Sequence, residues 1–263
     1  MDYDELREKY ERVYSGSGSM YKDECGTAES ALALSFSAHR SLRRQEAGSK
    51  KEYLAAFFYR NCVYLSAAYH MARMGMLDPC GNNLRSVFET IIWQYAFLKD
   101  DGAFESFLQI SRMEQEKFGR LGAGGWSNTR ERALANLRRK HNFQKNMKKL
   151  YQKDFFESLF SNQYWVLSQK SHPGTFGINH NTPTMEGGTT MDKRPQEVLD
   201  NLKAILYLCS ENIICFLNCF GEDLSPGEVR RMMREANSVN GRIPPAASLA
   251  PGGMPFSVRM KKV

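Results

Sequence analysis

An all-α protein is predicted from three features of this chain. Apolar residues recur at three- and four-residue steps over most of its length, period-two alternation is almost absent, and no Asn-Gly turn lies between β-branched runs. The 263 residues are 42% hydrophobic and 12% aromatic, enough for a sizeable core. The expected architecture is one antiparallel bundle of six or seven main helices over residues 25–237. A short helix and flexible linker precede it (1–24) and a flexible basic tail follows (238–263).

Each element follows from local signals. Residues 3–14 read as a short charged helix that Ser15-Gly16-Ser17-Gly18-Ser19 breaks. Thr27 is a candidate N-cap for a helix to Gln45, with Gly48 and Ser49 as the turn. Lys50 to Met74 forms the next helix through Leu54, Phe57, Phe58, Leu65, Ala68 and Met71, and Gly75 supplies a left-handed C-cap. Asp78 as N-cap and Pro79 at the first helical position then open a helix whose stripe is Leu84, Phe88, Ile91, Tyr95 and Leu98. The short connection favours antiparallel neighbours.

After Asp100-Asp101-Gly102, a helix is expected from Phe104 to Leu121, where a glycine run interrupts it. Asn128 and Glu131 have capping-box spacing for a helix to about Lys153. A short helix follows around Phe155–Gln169, and 172–190 reads as a long irregular loop. Pro195 opens a helix to Phe220, and Ser225-Pro226-Gly227-Glu228 caps a last basic helix ending near Asn237.

Compartment and chemistry are bounded by composition. The acidic, polar opening Met1-Asp2-Tyr3-Asp4-Glu5 is unlike a secretory leader, and the run from Leu202 to Phe220 carries too many polar residues for a lipid-spanning helix. Six cysteines without close paired spacing fit buried, reduced thiols, and a cytoplasmic location is expected. Five histidines without a ligand cluster argue against a metal site, and no cofactor motif is present: Gly122-Ala123-Gly124-Gly125 lacks the lysine and the preceding strand of a phosphate loop.

Two polar rows stand out in this apolar background. Arg85 and Glu89 lie one turn apart beside the stripe, and the guanidinium is a candidate receptor for a phosphate or carboxylate, with Glu89 as its orienting group. The bland alternative is an ion pair that ties two helices. Tyr164, Ser168 and His172 repeat at a four-residue step before Pro173, which places His172 at a helix C-terminus where the dipole favours a protonated ring. Arg85, Glu89 and His172 are therefore the catalytic candidates, and all five residues are candidates for one anion-binding pocket.

A third feature is electrostatic. Arg138, Arg139, Lys140, Lys145, Lys148 and Lys149 lie in a stretch with nine basic residues against the single acid Glu131, which accounts for much of the net charge of +7. Such a stripe attracts polyanions without reading sequence, and a solvated helix face is its plain alternative.

Leu84-Arg85-Ser86-Val87-Phe88-Glu89, after the Met74-Gly75-Met76-Leu77 turn, resembles the first motif of the DUF5677 family of uncharacterised helical proteins. Tyr164, Ser168, His172 and Pro173 are similar to its second motif. The match covers roughly residues 27–220. The resemblance implies a fold distantly related to HEPN-type bundles, which include ribonucleases of toxin and phage-defence systems. Those enzymes place a His four to six residues after an Arg on one helix, a spacing that none of the five histidines here satisfies. The resulting expectation is a binding protein for an anionic group, in a stress or phage-defence setting. The alternatives are a metal-independent ribonuclease and a structural or interaction scaffold. Expected partners are RNA or a nucleotide, a protein, or a second copy of the chain, with no membrane.

Overall fold

The computed structural model describes residues 3–42, 45–119, 127–140, 142, 145, 146, 148 and 195–241. These form eight α-helices and no strand: α1 (Tyr3–Met20), α2 (Lys22–Ser41), α3 (Lys50–Arg73), α4 (Leu77–Lys99), α5 (Asp101–Gly119), α6 (Asn128–Lys140), α7 (Pro195–Phe220) and α8 (Pro226–Gly241). The all-α expectation holds. The helix predicted around 155–169, the loop at 172–190 and the tail from 242 onward lie outside the described residues.

The core forms where α2, α3, α4 and α7 meet, with α8 against α2 and α7. Helix α4 buries 13 of its 23 residues, so it is enclosed on most sides, as a helix must be when its apolar positions exceed a single stripe. Leu84, Phe88, Ile91 and Tyr95 from the predicted stripe are all buried. Phe58 packs on Phe216 at 4.2 Å between ring centroids, joining α3 to α7. Lys50 reaches Phe97 O and Asp101, while Asn83 donates to Met71, so the α3–α4 contacts pair the start of one helix with the end of the other.

Polar side chains cross this core in a connected row. The Asn61 amide donates to Gln94 Oε1 and to Asn212 Oδ1, both at 3.0 Å, and Asn212 donates to the Cys62 thiol at 3.6 Å. All four residues are fully buried, so these bonds replace part of the lost hydration, while Asn61 Oδ1 is left without a partner among the described residues. Burial also pushes the Cys62 thiol up to about 12 and raises Cys209 and Cys215, which keeps these sulfurs neutral and unreactive. Five of the six cysteines are buried and Cys219 is half-buried, all as free thiols.

Helix α7 is long and apolar enough, by length and composition, to cross a membrane, which corrects the reading of it as too polar. Its place in the protein accounts for that composition. Two thirds of the apolar window is buried against the other helices (67%), as expected of a core helix.

Several boundaries differ from expectation. Helix α1 does not break at Ser15–Ser19 but continues to Met20, because Ser17 Oγ donates to Arg73 O and the Arg73 guanidinium occupies the space beside Gly18. A Cβ on Gly18 would sit 2.3 Å from Arg73 Nη2. Arg73 also donates to Tyr14 O and Tyr69 OH, and it lies 3.7 Å over the Tyr14 ring, so one side chain holds α1 to α3.

Helix α2 starts at Lys22 rather than Thr27, whose hydroxyl donates to Asp23 O inside the helix. Asp78 is not the cap of α4. The helix begins one residue earlier, where Gly75 (φ 73°) ends α3 and Met76 N–H bonds back to Met71 O while Gly75 N–H bonds to Ala72 O.

Helix α5 starts at Asp101 and ends at Gly119, and α6 stops at Lys140 rather than near Lys153. Ser127, not Asn128, caps α6 by accepting from Arg130 N–H. Asn142 then caps a new turn by accepting from Lys145 N–H. The predicted box at α8 is present, since Ser225 N–H bonds to Glu228 and Glu228 N–H to Ser225, but the helix runs on to Gly241 with Val239 buried.

Candidate functional site

Helix α4 positions Arg85 and Glu89 on the narrow strip of its surface that is not fully buried, together with Asn82, Ser86 and Trp93. Arg85 Nε donates to Glu89 Oε1 at 3.0 Å, with the two side chains 25% and 35% exposed. A carboxylate bound to the inner nitrogen orients the planar guanidinium, an arrangement found both in anion recognition and in local ion pairs.

A second guanidinium reaches the same part of α4. Arg60, from α3, donates to the hydroxyl of Thr90, the residue after Glu89, and its guanidinium lies 4.5 Å over the Tyr64 ring. Thr90 in turn donates to Ser86 O at 2.7 Å. Arg60 is thus fixed by a cation–π contact on its own helix and a hydrogen bond to the next. No motif in the sequence singles it out. The available signal was the Arg60–Tyr64 spacing of one turn, which places a cation over a ring but does not say which helix lies opposite.

The second polar row, Tyr164, Ser168 and His172, falls outside the described residues, as does Lys149 of the basic stripe. The remaining stripe residues are placed. Arg139, Lys140, Lys145 and Lys148 are exposed, and so is Arg138. Arg138 is bound to Glu114 of α5 at 2.7 Å, Arg130 to Glu116 at 2.9 Å, and Lys117 to Glu131 at 2.7 Å. Acids of α5 therefore neutralise part of the charge read from α6, and the outward cationic surface is smaller than the sequence count implies. Among the described residues no group of His, Cys, Asp and Glu is arranged to hold a metal ion.

The fold and these side chains define an all-α helical protein with an oriented Arg–Glu pair and a basic outer helix. No family model matches the chain, and no curated protein or solved structure matches it either.

Proposed function

We propose that this chain is a cytoplasmic binding protein for an anionic group, such as the phosphate of a nucleotide or RNA, with Arg85 as the principal contact. The observation that carries the reading is the half-buried Arg85–Glu89 pair at 3.0 Å on the least covered strip of a helix otherwise enclosed by core. A planar guanidinium oriented by a carboxylate suits bidentate recognition of phosphate. Arg60, from α3, adds a second positive group, held at Thr90, five residues along α4 from Arg85. In the same proposal Tyr164, Ser168 and His172 complete the pocket. Arg139, Lys140, Lys145, Lys148 and Lys149, with Arg138, guide a polyanion toward it.

The proposal also takes the bundle to be antiparallel and HEPN-like, with the two DUF5677-type motifs as its signature. The end-to-start pairing of α3 with α4 and the all-α composition support it. The test is direct: purified protein is titrated with a nucleoside triphosphate and incubated with mixed RNA, alongside Arg85→Ala, Arg60→Ala and His172→Ala. Binding of the triphosphate that both arginine variants weaken, while circular dichroism stays native, supports the site. RNA cleavage abolished by Arg85→Ala and His172→Ala would transfer the assignment to the ribonuclease alternative. Absence of both binding and cleavage, with only thermal stability changed in the variants, leaves a structural ion pair and rejects the proposal.

A further inference from the structure

A cleft lies between α1 and the C-terminal end of α3. Leu6, Tyr10 and Tyr14 repeat at a four-residue step along one face of α1 and form a wall of a cleft of about 740 Å³. His70, Met74 and Met76, from the end of α3 and the turn after it, form the opposite wall. That volume falls in the range of small-molecule sites, and the lining has their usual character of apolar walls with a few polar groups at the edge.

The rings in this cleft are held in place from outside it. Tyr14 OH and His70 Nδ1 are 3.1 Å apart, and the two rings are within 18° of parallel with centroids 6.0 Å apart. Arg73 is not among the lining residues, yet its guanidinium lies 3.7 Å over the Tyr14 ring and its Nη2 donates to Tyr14 O. Ser17 Oγ bonds to both Tyr14 O and Arg73 O at 2.9 Å. Tyr14 therefore presents a preset aromatic surface, and little rotamer freedom remains to be lost when a ligand arrives.

The edge of the cleft carries Arg7 as a donor beside Glu11 as an acceptor, with Ser15 a further turn along; Arg7 Nη1 also lies 3.4 Å from the exposed Asp4. Arg7 and Glu11 both line it, one helical turn apart, with Arg7 Nε 3.8 Å from Glu11 Oε1. Both side chains are more than half exposed (54% and 69%), so their mutual attraction is weak and screened. A guanidinium beside a carboxylate complements a planar ring whose edge bears an acceptor next to a donor. Thioether and tyrosine walls complement its faces.

We infer that the cleft between α1 and the end of α3 binds a planar heteroaromatic molecule of the purine type, stacked against Tyr14 and Tyr10 and read at its edge by Arg7 and Glu11. The site is independent of Arg85. Guanosine, uncharged and carrying a carbonyl next to a ring N–H, is the probe, and indole, flat but without an acceptor, is the control. Saturation-transfer NMR on the full chain is expected to show transfer to the guanosine base in preference to its ribose, with much weaker transfer to indole. Glu11→Ala, at an exposed position, is expected to weaken guanosine about tenfold, the size of one lost charge-assisted hydrogen bond. Tyr10→Ala should abolish transfer, and Arg85→Ala should leave it intact. No transfer to guanosine, equal transfer to indole, or undiminished transfer in Glu11→Ala overturns the inference. If Tyr10→Ala loses its native circular dichroism, Glu11→Ala alone decides.

Discussion

Helices α4 and α6 are both expected from the sequence, though not from the residues that cap them, and they are held by different forces. Helix α4 buries 13 residues, whereas α6 buries one, Leu134, among the described residues. Three cross-helix ion pairs fasten α6 to α5, and α5 in turn rests on the core through Phe104 and Phe107, whose rings lie 5.2 and 5.3 Å from Phe97. Helical pattern shows that a segment is a helix. It does not show whether burial or charge secures it, and the two respond to different perturbations.

The largest test of this contrast is Phe58→Ala. The ring is fully buried against Phe216, and its removal leaves a cavity expected to cost about 3–5 kcal/mol in urea unfolding. A much smaller loss would mean that the center of the bundle is looser than its packing indicates. Next comes Asn212→Ala, which deprives the Asn61 amide and the Cys62 thiol of partners inside the core; about 1–3 kcal/mol should be lost.

On the α5–α6 side, Glu114→Gln should cost about 0–1 kcal/mol, since its pair with Arg138 is roughly half exposed on both sides. Amide exchange in α6 should speed up as sodium chloride is raised, while α4 amides stay unchanged. Salt-insensitive exchange in α6 would break the comparison. The smallest effect belongs to the start of α8. Hydrogen bonds from the Ser225 hydroxyl and backbone hold the Glu228 carboxyl below its ordinary range. A depressed folded value means that this contribution is present above the unfolded pKa and fades as pH falls through the folded one. The protection factor at Val229, the observed exchange rate corrected for the intrinsic pH dependence of amide exchange, should therefore fall on acidification, and Glu228→Gln should remove that dependence.

What the sequence revealed follows the range of the interactions involved. Pro195, Gly75 and the Ser225–Glu228 box act within a few residues, and each places a helix end where expected. Ser15–Ser19 misleads for the opposite reason. Gly16 and Gly18 have poor helix propensity, at about 1 kcal/mol each relative to alanine, but Arg73, more than fifty residues away, supplies the compensating bonds and needs the space that Gly18 leaves. Asp78 fails as a cap because the turn at Gly75 starts the next helix sooner than local preference indicates. In the candidate site, the Arg85–Glu89 contact was readable as an i,i+4 pair, whereas Arg60 reaches Thr90 across thirty positions and no spacing rule selects it.

The amide of Asn61 touches α4 and α7 at once, through Gln94 and Asn212. A one-residue slide of either neighbor would swing its carbonyl about 100° around the helix axis and leave the shared donor facing hydrocarbon. Greasy surfaces alone tolerate many sliding positions; this single side chain works as an index pin, selecting one axial alignment of three helices from a ladder of near-equivalent ones.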